Sequence, residues 1–497
     1  MSLAVLKGRF DNWRQWELNP IVIKELRQAV RSWTVTGVLL LFLTLLFFTS
    51  LFFLVAHLYV SGRDAGLGAS MFSAFLMMLA AASVCFVPLH VGIRMGMERQ
   101  QGNPDLLYAS TLTPGSIIRG KFICGAYMAL LFFSACMPFM AFTNLLRGVD
   151  LPTVFGILGF LFAVVCMANM VAIFMACLPA SRPFKFLLAM YGMGQMLFLI
   201  GPLVYMSQEL LRSGLGSMMF GRGFWAWLST SLTMSLAFTG LLYFLSVALI
   251  SPLSANRALP LRVYITVAWI VTGLLGLGWV LGSGNPDRIL PWTWVSVAVM
   301  IVALLATVSN SDQLSLRVQR AIPPGGFRRV LAFVFFNGAA GGLVWASVIL
   351  WGTYLVMAAQ IIPHKGTFLI ERNTVLLPTL IAYAFDYALL ALFIQRRFLS
   401  RLPSKTTGLL TILLAGAWAL LPTIILFFLN KLSWTTISSV QLGNPFSVLG
   451  PIDTVQQLHH LFFSLAWLVV MTLLNAKWFV RQIANFRPPP PAPPILP

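Results

Sequence analysis

The most unusual carboxylate of the sequence is Asp386, which lies within the apolar run LIAYAFDYALLALF. A charge at the centre of a membrane-spanning helix costs roughly 2.5–3.5 kcal/mol on insertion scales, so such a residue either faces other helices or is protonated. Two interpretations stay open, a proton or cation relay and a structural carboxyl that is hydrogen-bonded between helices. Asn169, Gln195 and Asn337 also lie in apolar runs, where packing between helices is a commoner role than substrate contact.

A second chemical pattern is the segment GSIIRGKF, which runs from Gly115 to Phe122. It resembles a phosphate-binding loop, but that loop ends in the Ser or Thr that binds Mg²⁺ and follows a strand of a parallel sheet. Phe122 replaces the hydroxyl residue, and an apolar run follows directly. We therefore expect this chain to bind no nucleotide, and any ATP and Mg²⁺ to be held by a partner.

The remaining reactive residues do not form the pattern of an enzyme or a metal site. The sequence has no HExxH, GxSxG or paired-carboxylate motif, and its five cysteines are dispersed without a CxxC. The adjacent pair His459-His460 points to different faces of a helix. The sequence thus predicts no catalytic residues and no metal ligands.

The composition identifies the class of protein that must position these residues. Of the 497 residues, 59% are apolar and only 9% are charged, against roughly 45–50% and about 25% in soluble domains. A water-soluble globule is excluded, because the chain could not cover its surface with polar groups. The sequence predicts an all-α polytopic membrane protein.

About twelve apolar segments are long enough to cross a bilayer, for which about 20 helical residues are needed. They lie near residues 33–60, 69–94, 122–145, 152–178, 186–207, 224–251, 263–283, 290–309, 331–359, 374–395, 408–430 and 459–476. An even number puts both termini on one side, and the connections of that side carry most of the 33 Lys and Arg residues. This asymmetry predicts cytoplasmic termini and insertion in the inner membrane. The net charge of +20 is then an orientation signal, and no nucleic-acid partner is expected.

The segment NPIVIKELRQAVRSW, residues 19–33, predicts a helix that lies in the headgroup layer before the first span. Asn19-Pro20 is a helix-start signal, and apolar residues recur from Ile23 to Trp33 at steps of three and four. Basic juxtamembrane segments in general share this pattern. The charged positions of the helix are Lys24, Glu25, Arg27 and Arg31.

The connection after the second span, residues 97–122, has a defined pattern of its own. Gly102-Asn103-Pro104 ends one helix, Asp105 to Ser110 can form a short helix with an apolar face, and Thr113-Pro114 starts the next. A short exposed helix with apolar side chains indicates a docked partner.

These two segments resemble the interfacial helix and coupling loop of the ABC transporter type-2 permeases, the membrane subunits of ATP-driven exporters; the resemblance is closest over residues 19–145. In that family the interfacial helix abuts a separate ATPase, and the loop docks into a groove on its surface. The resemblance implies an ABC ATPase dimer as partner, with this chain a permease subunit that binds no cofactor of its own. The implied coupling positions are Glu98, Arg99, Gly102, Asp105, Leu106, Leu107, Thr113 and Pro114.

A permease of this family usually has half as many spans as this chain. One interpretation is two fused halves: residues 1–32 as cytoplasmic terminus and interfacial helix, 33–251 as the first half, 252–262 as linker, 263–480 as the second half and 481–497 as a Pro-rich cytoplasmic tail. The alternative is a twelve-span chain that pairs with a second permease or a second copy of itself. Two other functional classes also stay open, a gradient-driven secondary transporter that uses Asp386 and a membrane scaffold that transports nothing. The sequence does not indicate a substrate.

Overall fold

The computed structural model describes residues 20–59, 67–101, 113–146, 150–179, 181–214, 220–252, 254–365, 372–429, 441–450 and 453–489. Within these ranges the regular elements are all helices, and they divide the chain into a first unit, residues 1–251, and a second unit, residues 252–497.

The helices of the first unit are α1 (Pro20–Val30), α2 (Trp33–Tyr59), α3 (Leu67–Ala80), α4 (Val87–Gln101), α5 (Pro114–Leu145), α6 (Leu151–Cys177), α7 (Arg182–Ser213) and α8 (Arg222–Ile250). A π-helical segment, Ala81–Phe86, joins α3 to α4 without a break.

The helices of the second unit are α9 (Ala258–Ser283), α10 (Leu290–Val308), α11 (Leu316–Arg320), α12 (Gly326–Phe335), α13 (Ala339–Lys365), α14 (Arg372–Arg397), α15 (Thr407–Phe428) and α16 (Thr454–Asn485).

Eleven helical stretches among the described residues are long and apolar enough to cross a membrane. The prediction of an all-α polytopic membrane protein is thereby confirmed. A further helix, α7, coincides with the fifth predicted span, residues 186–207. These helices have apolar residues on every side because lipid, unlike water, does not require a polar face.

Hydroxyl residues within the spans bond to the carbonyls of their own helices. Ser83 Oγ donates to the Leu79 carbonyl at 2.6 Å, and Thr44 Oγ1 donates to the Leu40 carbonyl at 2.8 Å. Because these donors are satisfied one turn back, such residues are tolerated inside a bilayer.

Aromatic side chains fill the core of the first unit. Phe42 and Phe132 pack edge to face with ring centroids 5.6 Å apart, and Phe75 is fully buried beside them. α6 is the central helix of this unit and packs against α4, α5, α7 and α8.

The second unit is built around α14, most of which is buried, and it packs against α10, α13, α15 and α16. Indole N–H groups bond to threonine hydroxyls on neighbouring helices in this unit. The pairs are Trp269 with Thr353, Trp292 with Thr272 and Trp345 with Thr266, at 2.8–3.0 Å. Such bonds hold helices together where no hydrophobic driving force between them is available.

The ninth predicted span, residues 331–359, is wrong at its start. The chain breaks between α12 and α13, and only α13 is long enough to span. α12 is a short amphipathic helix with Phe327 and Val330 exposed. The sequence predicts that Asn337 lies within a span, whereas the structure places it in this break.

The buried Arg262 side chain of α9 explains why the break is stable. Its guanidinium donates to the Val334 carbonyl at 2.8 Å, to the Phe336 carbonyl at 2.6 Å and to the Gly338 carbonyl at 3.1 Å. A planar group with five N–H donors suits several carbonyls at a helix end. Asn337 adds bonds to the linker, its Nδ2 donating to the Ala255 carbonyl at 3.0 Å.

Candidate functional site

The amphipathic helix α1 is shorter than predicted and buries an unexpected side. It ends at Val30, so Arg31 lies in the following turn and Trp33 begins α2. Trp33 and Val30 are exposed, in keeping with a face toward lipid, whereas Glu25 is buried toward the protein. α1 packs on α5, which brings Glu25 to the beginning of that helix.

The buried side of α1 leads to a charged network centred on Lys121. Lys121 Nζ lies 2.6 Å from Glu25 Oε1 and 2.6 Å from Glu98 Oε2. The Lys121 and Glu25 side chains are 3% and 4% exposed, while that of Glu98 is 39% exposed. Lys24 Nζ lies 3.6 Å from Glu98 Oε1 and extends the network toward solvent.

The degree of burial determines how much each ion pair of this network contributes to stability. An ammonium group taken out of water needs opposite charge at hydrogen-bond distance, and here two carboxylates supply it. The Lys24–Glu98 contact is largely exposed, so water screens it and its contribution is small. Substitution of either Glu25 or Lys121 therefore leaves a buried charge without its buried partner.

The network joins three elements that are distant in sequence. Glu25 is on α1, Glu98 is near the end of α4, and Lys121 is in the second turn of α5. The loop between α4 and α5 begins four residues after Glu98, so the network holds both helices from which the predicted coupling loop emerges. In the sequence Lys121 appeared only as part of the failed phosphate loop. A Lys that enters an apolar run does, however, require a carboxylate partner, and that signal could have identified it.

The other predicted coupling positions are only partly described. Thr113 is the N-cap of α5, its Oγ1 accepting from the Ser116 N–H at 3.3 Å, and Pro114 is the first helical residue, as the start signal predicts. Arg99 continues α4. Gly102, Asp105, Leu106 and Leu107 lie outside the described residues.

The predicted polar residues of the first unit have different environments. Asn169 is buried, and its Nδ2 donates to the Phe122 carbonyl at 3.2 Å, directly after Lys121. Its side chain lies against Gly125, where a Cβ atom would overlap it. Gln195 is exposed on α7. The structure therefore brings Asn169 near the Lys121 network and leaves Gln195 apart from it.

An apolar cavity of about 450 Å³ lies between α4, α6 and α7. Small residues line it, among them Gly92, Ala172 and Gly192, and Lys185 lies at its edge. Because the side chains are small, the helices leave room for an apolar or amphipathic molecule.

Asp386 forms the second polar feature, in the middle of α14. It is fully buried, and neither carboxylate oxygen has a hydrogen-bond partner among the residues that the structure describes. At 1.5 Å per residue it lies about 16 Å from the Arg397 end of the helix, well inside a bilayer. Because an ionisable residue at this depth is costly, Asp386 is a candidate for function, and both the relay and the structural carboxyl stay predictions.

Two tyrosines beside Asp386 hold the segment 441–450. Tyr387 donates to the Gly443 carbonyl at 2.6 Å, and the Gly443 N–H donates to Tyr383 Oη at 3.1 Å. Tyr383 Oη also lies 2.9 Å from His460 Nδ1 of α16. The sequence presents His460 only as one of an adjacent histidine pair, which does not predict this contact.

Gly443 has a conformation that other residues rarely adopt, with φ at +97°. A Cβ atom there would also collide with the indole nitrogen of Trp418, which donates to the Leu442 carbonyl at 3.0 Å. Trp467 packs on the Tyr387 ring with centroids 5.1 Å apart. The result is an aromatic and polar cluster, built on α14, that holds the segment 441–450, which contains no α-helix, within the second unit.

No family model matches this chain, and no curated protein or solved structure is similar to it. Among the described residues, no group of three or more His, Cys, Asp or Glu side chains could hold a metal ion. The features of this chain that bear on function are therefore the Lys121 network, the Asp386 cluster and the motifs of residues 19–145.

Proposed function

We propose that this chain is the membrane-spanning permease subunit of an ATP-driven exporter of the ABC type. Both termini face the cytoplasm, and a separate ATPase dimer binds the loop between α4 and α5 and hydrolyses ATP. The observation that carries the proposal is the buried Lys121 network, which ties α1 to both helices that flank this loop.

The network supplies a physical route for coupling. A displacement of the loop pulls on the Glu98 end of α4 and on the Thr113 end of α5. Lys121 bonds to Glu25 and Glu98 at once. α1 therefore moves together with α4 and α5. Discrete rearrangement of such a packed element is how a small movement at a docking site reaches distant spans.

The test is purification from the native membrane with a C-terminal tag, followed by mass spectrometry and ATP hydrolysis measurements. We expect a stoichiometric P-loop ATPase. Glu98→Gln keeps the Glu25–Lys121 pair, so the chain should fold and retain the ATPase, while transport-linked hydrolysis falls roughly 2- to 30-fold, the range of measured coupling effects. Lys24→Gln, which removes only an exposed contact, is the matched control and should change little. A stable chain that purifies without an ATPase contradicts the proposal.

A second candidate function is transport driven by a proton or sodium gradient through Asp386. It is favoured by the full burial of this carboxyl and by its two oxygens, unbonded among the described residues. In reconstituted vesicles, Asp386→Asn would abolish gradient-driven uptake, while Glu98→Gln would leave it intact. The permease proposal expects the reverse, so this pair of variants separates the two functions.

A further inference from the structure

A cavity of about 620 Å³ lies between the α1–α2 turn and one side of α4. Its lining is divided by chemistry. The polar lining residues include Arg31, Arg94 and His90, and the apolar ones include Phe86, Leu89 and Ile93.

The cations of this cavity lack carboxylate partners among the described residues. Arg94 Nη2 donates to Gln28 Oε1 at 2.5 Å, an uncharged acceptor. The acids nearest in the fold, Glu25 and Glu98, are engaged by Lys121 and Lys24, two carboxylates against two ammonium groups. His90 Nε2 is buried and has no hydrogen-bond partner within the described part of the chain. The polar part of the cavity is therefore a concentration of unneutralised positive charge and free donors.

The apolar part follows α4 into the membrane. Phe86 and Arg94 are eight residues apart, which is about 12 Å along a helix. Arg31 and Arg94 belong to the side that the Lys and Arg distribution predicts to be cytoplasmic, so Phe86 and Leu89 lie at the depth of acyl chains. The cavity thus has a cationic part at headgroup level and an apolar part below it.

We propose that this cavity binds a membrane phospholipid with an anionic headgroup. The phosphate is held by Arg31 and Arg94, with His90 as a further polar contact, and one acyl chain lies along Phe86, Leu89 and Ile93. Basic pockets on the cytoplasmic side of spans recognise such headgroups by charge, and guanidinium groups bind phosphate oxygens in a bidentate manner. A soluble anion would leave the apolar part unfilled. The inference does not depend on the proposed function.

The site adjoins the Lys121 network, because a narrow gap lined by Glu25, His90, Arg94 and Lys121 separates the two. Arg94 also bonds to Gln28 of α1. A lipid bound to Arg94 therefore fixes the position of α1 relative to α4.

The experiment is native mass spectrometry and thermal-shift measurement of the full chain, with phosphatidylglycerol and phosphatidylcholine added separately. We expect phosphatidylglycerol to bind and stabilise, and phosphatidylcholine to do neither. The double variant Arg31→Gln/Arg94→Gln should weaken phosphatidylglycerol binding roughly 30-fold, taking about a fivefold attraction per basic residue near a membrane surface.

The matched control is Arg27→Gln/Arg119→Gln, which removes two exposed bases of the same predicted side that do not line the cavity. Equal loss in this control would show general attraction to a basic surface and overturn the proposal. Equal binding of phosphatidylcholine, or displacement of the lipid by millimolar glycerol phosphate, would overturn it as well. If the double variant is not recovered, Arg31→Gln alone removes an exposed side chain outside α1 and should weaken phosphatidylglycerol binding about fivefold, whereas unchanged binding would overturn the proposal.

Discussion

Removal of the Lys121 ammonium group should destabilise the first unit more than any exposed charge change. In Lys121→Met, Glu25 stays buried, at 4% side-chain exposure, without its partner. Breaking a buried pair in this way costs about 3–5 kcal/mol. Glu98 adds little, because its side chain is 39% exposed and water can solvate it.

A second substitution, at Glu25, should restore stability. In Lys121→Met/Glu25→Leu no buried charge remains, and apolar replacements of similar volume are often neutral. We therefore expect the double variant within about 1–2 kcal/mol of the native protein, so that Glu25→Leu recovers about 1–4 kcal/mol when it is added to Lys121→Met.

The assay is unfolding in mixed micelles followed by tryptophan fluorescence, with thermal melting as a second measurement. A loss of 3–5 kcal/mol corresponds to a decrease in Tm of roughly 6–20 °C for a unit of this size. Lys24→Gln is the control and should cost no more than about 0.5 kcal/mol. A Lys121→Met variant as stable as the native protein, or a double variant no more stable than the single one, would show that Lys121 and Glu25 are not a buried charge pair.

Two further predictions concern the second unit. Gly443→Ala should destabilise it by about 1–3 kcal/mol, because φ is +97° there and the new methyl group meets Trp418. The control Gly416→Ala has open space around its Cβ position and should be neutral or stabilising by roughly 0.5–1 kcal/mol. Equal melting temperatures of the two variants would contradict this prediction. Arg262→Lys should lower the free energy of unfolding by about 2–4 kcal/mol in the same assay, since an ammonium group cannot reach all three carbonyls of the helix break. The control Arg317→Lys, at an exposed position, should change it by no more than about 0.5 kcal/mol. An Arg262→Lys variant of native stability would show that the break does not depend on the guanidinium.

The break before α13 shows where local reasoning fails. Residues 331–335 are apolar enough to extend a span, and hydropathy alone joins them to the following run. The chain bends because Arg262, some 72 residues earlier, binds the carbonyls at the break. A window along the sequence contains no information on a partner at that separation.

The contacts around Asp386 likewise join segments that are distant in sequence. The sequence marks Asp386 because a carboxylate in an apolar run is expensive, and the structure agrees that it is buried. That Tyr383 and Tyr387 hold Gly443 could not be predicted, since the latter belongs to a different segment and its backbone conformation follows from packing.

Hydropathy along the chain was enough to predict a helical membrane protein and the positions of most of its spans. Hydropathy and helix signals are local, because each depends on neighbouring residues and on the surrounding solvent. The pairing of charges, in contrast, follows from how the helices pack. Glu25 and Lys121 are 96 residues apart, and a hydrogen bond of 2.6 Å between them depends on how α1 packs on α5.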